Sequence, residues 1–132
     1  MIAVRTIQWI AGIAGLIALV LGILFWITGA DVITIHRFLG FIVAVALLIL
    51  GIVGVSTPGL RVLGVIAIIY APVLPIFGLN QELLLIGNLH WLIQLAHMLV
   101  GIGALALMGI IATRYARIKQ TAAKAVVTEA GR

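Results

Sequence analysis

Long apolar segments separated by short polar breaks account for most of the chain. There are four of them, at about residues 7–28, 33–55, 60–79 and 89–112. Each has the roughly 20 apolar residues that a helix needs to cross a bilayer. The breaks at 29–31 and 56–59 are rich in turn-forming residues, and Asp31 is a suitable N-cap for the second helix. The pattern predicts an all-α, integral membrane four-helix bundle with up-down-up-down topology.

The two halves of the chain repeat each other. Residues 15–29 align without a gap on residues 64–78, and segment 36–40 then corresponds to segment 97–101 after a connection twelve residues longer in the second copy. We therefore expect two repeated helical hairpins, at about 7–56 and 60–113, within a transmembrane bundle that covers 1–117. A pseudo-twofold axis along the membrane normal relates two hairpins that cross the membrane in the same sense. A polar cytoplasmic tail is predicted at 118–132.

Composition strengthens the assignment to the membrane. Hydrophobic residues make up 65% of the 132 residues and charged residues only 8%, against about 25% charged residues in soluble domains. The chain has no cysteine, which excludes disulfides, thiolate metal sites and thioether attachment of haem. The net charge of +5 does not indicate nucleic-acid binding, because Arg114, Arg117, Lys119 and Lys124 all follow the last apolar segment instead of forming a patch on a soluble fold. The partner that composition predicts is the lipid bilayer.

The positions of the basic residues predict the orientation of the bundle. Arg5, Arg61 and the C-terminal cluster fall on one side of the membrane, whereas Arg37, Asp31 and Glu82 fall on the other. Positive charge in short loops marks the cytoplasmic side. We expect both termini in the cytoplasm and the chain in a prokaryotic inner membrane.

Few ionisable side chains interrupt the apolar segments, and such groups mark functional sites because they are costly in hydrocarbon. Helical spacing places four residues of the last segment on one face: His90, Gln94, His97 and Gly101. In the second segment His36 and Gly40 share a face in the same way. The repeat therefore predicts that His36 and His97 face each other at similar depth.

Two imidazoles from opposite helices are what a six-coordinate haem iron requires, and a glycine one turn from each leaves room for the porphyrin face. We expect one haem b between His36 and His97, with Gly40 and Gly101 beside it. Bis-histidine ligation leaves no open iron position and favours electron transfer over oxygen chemistry. Arg37 is the natural cation for a propionate.

His90 has a different expected role. It lies seven residues before His97, about 10 Å along a helix, and so cannot share its iron. We expect His90 and Gln94 to contact the cofactor edge, with His90 bonded to a propionate or a partner. The alternative is an interfacial histidine with its ring at headgroup depth.

Other interpretations of the histidines stay open at this point. One is a chlorophyll-type tetrapyrrole ligated once, in a pigment-binding or structural subunit of a respiratory or photosynthetic complex. Another is packing of the histidines without a cofactor. A zinc or copper site is less favoured because all three acids lie in turns or the tail: Asp31, Glu82 and Glu129. An ion-coupled carrier is less favoured because no carboxylate lies inside a span.

The string from Thr34 to Gly40, followed by an apolar helix, resembles the histidine–arginine helix start of the haem A synthase family. The whole bundle is similar in style to small four-helix membrane b-type cytochromes. The resemblance implies that His36 and His97 are axial ligands and that Arg37 lies near a propionate. Haem A synthases, however, resemble two fused four-helix halves, and their catalytic glutamate has no equivalent in residues 32–35.

The resulting functional prediction is a membrane b-type cytochrome, more an electron-transfer protein or subunit than a stand-alone enzyme. Its expected partners are a quinone and a membrane or outer-side redox protein. The sequence leaves homo- or hetero-oligomerisation open.

Overall fold

The computed structural model describes residues 2–130 and contains four α-helices and no strand in that range. The helices are α1 (Ile2–Thr28), α2 (Ile33–Val55), α3 (Arg61–Asn80) and α4 (His90–Ala130), with a 3-10 turn at Gln81–Leu83 before α4. All four are long and apolar enough to cross a membrane. The predicted all-α membrane bundle of four helices is confirmed. Residue 1 of the predicted bundle and residues 131–132 of the predicted tail lie outside the described residues.

Consecutive helices pack against each other, α4 closes the bundle against α1, and α2 also contacts α4 across the diagonal. The most extensive contact joins α2 and α3. We call the end with the α1–α2 turn and the α3–α4 connection the histidine end, because His36 and His97 lie near it. The opposite end, where α1 begins, α4 ends and the α2–α3 turn lies, is the terminal end.

Glycines bring the backbones of α2 and α3 into contact at the terminal end. A Cβ on Gly64 would collide with the backbone nitrogen of Val55 and lie 2.7 Å from the carbonyl oxygen of Gly51, and a Cβ on Gly54 would lie 2.9 Å from the Cα of Gly64. Small residues permit this approach, which van der Waals packing rewards in a membrane. The contact locks the first hairpin onto the second.

Buried side chains are confined to the terminal half of the bundle. The last buried residue of α1 is Ala18 and that of α3 is Leu74, while the first buried residue of α2 is Val43 and that of α4 is Ala104. The large side chains that are almost fully buried belong to this half: Leu47, Leu50, Leu60, Met108 and Ile111. Protein interiors are normally packed throughout. The helices at the histidine end, by contrast, surround a space that their own side chains do not fill.

A hydrogen bond holds α3 and α4 together below that space. The hydroxyl of Tyr70 donates to the carbonyl oxygen of Val100 at 3.0 Å. A Cβ on Gly103 would lie 2.7 Å from the same hydroxyl oxygen, so the glycine makes room for the tyrosine. The phenol is therefore satisfied by α4, as a polar group in hydrocarbon requires.

Two local features differ from the sequence prediction. Asp31 does not cap α2, because the N-cap is Val32 and no side chain bonds to the first turn. Helix α4 also continues without a break past residue 117, reaching 41 residues or about 60 Å, twice the thickness of the hydrocarbon core. Its last part is rich in alanine and lysine, which favour helix in water as well as in lipid.

Candidate cofactor site

His36 lies in a notch that two small residues of α1 create. Its Nδ1 is 2.8 Å from the carbonyl oxygen of Ala18, and a Cβ on Gly22 would lie 3.1 Å from its Cε1. A carbonyl oxygen only accepts, so Nδ1 carries the proton and donates. In the neutral ring the lone pair is then on Nε2, which is the usual arrangement of a metal-ligating histidine whose other nitrogen is held by a carbonyl.

His97 occupies the corresponding place in the second hairpin. A Cβ on Gly78 of α3 would lie 2.8 Å from its Cε1, and the edge of Phe77 packs against the imidazole with ring centroids 5.8 Å apart. The Nδ1 of His97 is buried and has no hydrogen-bond partner among the described residues. The ring is thus held by shape, and one of its two nitrogens has no hydrogen-bond partner among the described residues.

The two histidine–glycine contacts reveal a register that the linear alignment does not give. In each hairpin the histidine of the second helix packs on a glycine of the first, Gly22 for His36 and Gly78 for His97. The gapless alignment instead pairs Gly22 with Ala71, seven residues or about two helical turns before Gly78. The two hairpins thus share a histidine–glycine contact, but in the second hairpin it lies about two turns from the position that the alignment predicts.

The imidazoles of His36 and His97 lie next to each other between α2 and α4. Their ring centroids are 6.0 Å apart and the ring planes differ by 59°. A metal bound by one nitrogen of each ring, at about 2.0 Å per bond, places the centroids about 6 Å apart. The predicted approach of the two histidines is present, and their spacing suits a shared metal between them.

Both histidines line a cavity at the histidine end. It encloses about 150 Å³, and its wall is mainly apolar, with Phe25, Trp26 and Phe41 among its larger side chains. Gly40 and Gly101 also line it, and a Cβ on either would meet no atom within 4 Å. The predicted glycines therefore face open space beside the histidines.

Polar side chains gather at the rim of the same cavity. Arg37 and Gln94, both predicted, line it together with Gln81, which the sequence analysis missed. The Oε1 of Gln81 and the Nδ1 of His97 are the two buried side-chain polar atoms without a partner in residues 2–130. The residues that carry these atoms both line this cavity, and unpartnered polar groups of this kind call for a polar or metal-containing ligand nearby. Only the position of Gln81 just after an apolar segment hinted at its role.

The connection between α3 and α4 approaches Arg37 from outside. Glu82 lies 3.8 Å from the Arg37 guanidinium, and both side chains are well exposed. An exposed pair of this kind contributes little to stability. Arg37 thus remains available to an anionic group at the rim.

His90 does not join the others. It is absent from the cavity wall, and its Nδ1 lies 3.2 Å from the carbonyl oxygen of Leu84. This contact closes the connection that contains Leu85 and Gly87, both in the left-handed backbone region. The structure therefore places His90 at the first residue of α4, against the connection and not beside the histidine pair.

The donor set limits what this site can hold. No group of three or more histidine, cysteine, aspartate or glutamate side chains converges within residues 2–130. Two imidazoles alone suit a metal whose remaining ligands come from a cofactor, as in haem. The enclosed volume is below the roughly 300 Å³ where pockets for drug-sized ligands begin, so a tetrapyrrole also requires the open side of the cavity, where Trp26, Phe41 and Ile102 are exposed.

Comparison with known protein families, curated proteins and solved structures finds no match for this chain.

Proposed function

We propose that this protein is a membrane b-type cytochrome that binds one haem between His36 and His97 and transfers single electrons. The observation that carries the proposal is the 6.0 Å approach of the two imidazoles inside a cavity with two unsatisfied polar atoms. Loose packing of the histidine end supports the proposal, because a bound group would fill the space that the side chains there leave open and would supply the lost packing contacts.

The chain's own residues prepare the site. The carbonyl oxygen of Ala18 accepts the hydrogen bond from Nδ1 of His36. This bond leaves the lone pair of Nε2 free for a metal. Gly22 and Gly78 let the two rings sit against α1 and α3, and the apolar wall keeps water away from the centre. Haem iron, when bound, gains and loses one electron, and two histidine ligands leave it no position for oxygen.

The proposal includes an orientation and a membrane. Within residues 2–130, six basic residues lie at the terminal end: Arg5, Arg61, Arg114, Arg117, Lys119 and Lys124. By the positive-inside rule this end faces the cytoplasm, and the haem lies towards the outer leaflet of a prokaryotic inner membrane. The electron acceptor is then an outer-side or membrane partner.

An absorption spectrum tests the proposal directly. We expect detergent-purified protein to show a sharp α-band of b type on reduction with dithionite, with about one haem per chain by pyridine haemochrome. Colourless protein from cells supplied with ample haem would contradict the proposal. A red-shifted pigment spectrum would instead favour a singly ligated chlorophyll-type group.

Arg37 gives a second test because its expected partner is a propionate. Arg37→Gln should weaken retention of haem about three- to tenfold, since a charge-assisted hydrogen bond at a half-exposed site is lost. Binding of haem dimethyl ester, which has no carboxylates, should be the same in both proteins. Reconstitution titrations measure both affinities.

Arg61→Gln is the matched control, because Arg61 is an exposed arginine at the other end of the bundle. It should change neither affinity. Equal loss of haem and of its ester in Arg37→Gln would show that Arg37 acts on the fold and not on a propionate.

A further inference from the structure

A second cavity opens between α1 and α4 in the terminal half of the bundle. It encloses about 180 Å³ and is lined by five residues: Gln8, Trp9, Gly12, Leu105 and Met108. None of them is charged. A Cβ on Gly12 would meet no atom within 4 Å, so the glycine faces open space. We call this space the α1–α4 cavity.

Gln8 is the polar group of the α1–α4 cavity. Its side chain reaches across the groove to α4, where its Nε2 lies 4.0 Å from the position of a Cβ on Gly109. The amide takes part in none of the side-chain hydrogen bonds within residues 2–130. An amide at membrane depth is costly unless it bonds. The amide is therefore free to donate to a carbonyl oxygen.

The other lining residues define the shape and polarity of a ligand. Trp9 is 64% exposed, so its indole offers a flat face at the lipid side, while Met108 supplies an adaptable apolar wall. The absence of a lining charge disfavours a phosphate or carboxylate ligand. These features together suit a neutral, flat, lipid-soluble ring that carries a carbonyl group.

This cavity and the histidine-end cavity share one lining residue. Leu105 lines both, and it packs on Gly15, which is part of the histidine-end wall. A ring in the α1–α4 cavity therefore contacts Leu105, which also lines the cavity that contains the histidine pair.

We propose that the α1–α4 cavity binds the head group of a membrane quinone, with the Gln8 amide donating to one carbonyl oxygen and the ring lying against Trp9. The choice of a redox-active ring rests on the proposed function, because it depends on the neighbouring haem. The binding geometry rests on the α1–α4 cavity alone.

Fluorine NMR of protein labelled with 5-fluorotryptophan tests the site. The chain has three tryptophans, and Trp9→Phe identifies the resonance of Trp9. Titration with decylubiquinone in lipid nanodiscs should move the Trp9 resonance saturably, while Trp26 and Trp91 at the far end stay in place. Decylbenzene, which has the same chain but no carbonyl, should compete poorly.

Variants separate the role of the amide from that of the groove. Gln8→Leu should raise the half-saturating concentration about five- to tenfold, the effect of losing one hydrogen bond, and Gly12→Leu should abolish the shift by filling the cavity. Gln120→Leu makes the same change at an exposed position of α4 that lines neither cavity and should leave the Trp9 titration unaltered. An unchanged titration in Gln8→Leu, no saturable shift, or equal competition by decylbenzene would overturn the proposal.

Haem content measured on the same samples separates this inference from the proposed function. A saturable, Gln8-dependent shift in protein that holds no haem keeps the carbonyl-ring site and overturns the assignment of a cytochrome. A haem-containing protein whose Trp9 resonance does not respond keeps the cytochrome and overturns the quinone site.

Discussion

Replacing either His36 or His97 with alanine should abolish haem retention. In the proposed site each variant removes one of the two imidazoles that would hold the haem, and the cavity has no third histidine, cysteine or carboxylate within the described residues to replace it. Loss of an iron–imidazole bond outweighs the remaining apolar contacts. Pyridine haemochrome of protein purified from haem-supplemented cells measures the loss, which we expect to exceed tenfold.

His90→Ala is the matched control because it removes a histidine from the same helix outside the cavity. It loses only the contact of His90 with Leu84, so haem content should stay close to that of the unaltered protein. Equal loss in all three variants would rule out the ligand assignment. Added imidazole offers a further check, since it should enter the space left in His36→Ala and restore part of the haem.

The histidine variants should remain folded. His36 and His97 lie outside the buried core. The core residues nearest the histidine end are Ala18, Val43, Leu74 and Ala104, one on each helix. His36 makes one hydrogen bond to α1, and a typical bond of this kind contributes about 1 kcal/mol. Thermal unfolding of haem-free samples should therefore be similar in all of them, which separates loss of a ligand from loss of the fold.

The largest effect on stability should come from Gly64→Leu. The surroundings of Gly64 are backbone atoms of α2, including those of Gly51, Gly54 and Val55, and backbone cannot rotate away as a side chain can. A leucine there must push α2 and α3 apart along their most extensive contact. We expect a loss of more than about 3 kcal/mol, at or above the upper end of the usual range for overpacking.

Thermal or denaturant unfolding in detergent measures this effect, with Gly12→Leu as the control. A Cβ on Gly12 meets open space, so the same substitution there should cost less than about 1 kcal/mol. Gly64→Ala should fall between the two. Similar stabilities of the Gly64 and Gly12 leucine variants would show that the α2–α3 contact is looser than described.

Hydrophobicity alone predicted the bounds of two helices well and those of the other two less well. The expected segments 33–55 and 60–79 agree with α2 (Ile33–Val55) and α3 (Arg61–Asn80) to within one residue at each end. Helix α1 starts five residues before the expected segment and α4 ends 18 residues after it. Hydropathy detects the part of a helix that lies in lipid, whereas backbone hydrogen bonds continue a helix into water wherever the side chains permit.

The site shows a similar division. Spacing along the helices predicted that His36, Gly40, Gln94, His97 and Gly101 lie together, and all five line one cavity. Gln81 was missed because it follows α3 on a short turn whose direction no helical periodicity gives. His90 was expected near the same site because it shares a helix face with Gln94. Its ring instead contacts the carbonyl oxygen of Leu84 in the α3–α4 connection and does not line the cavity.

The sequence by itself determined that the chain has four helices long and apolar enough to cross a membrane, and that two histidines each lie on the second helix of a predicted hairpin. In lipid, a segment must satisfy its backbone hydrogen bonds within its own helix, so its composition is enough to predict the span and its periodicity is enough to predict which residues share a face. Only the tertiary structure decided that the histidines pack on Gly22 and Gly78, that the core occupies one half of the bundle and that Leu105 lines two cavities. Those features depend on how each helix is rotated and shifted along its neighbours. Close contacts between helices, such as that at Gly64, decide this arrangement, and the sequence of a single helix does not specify it.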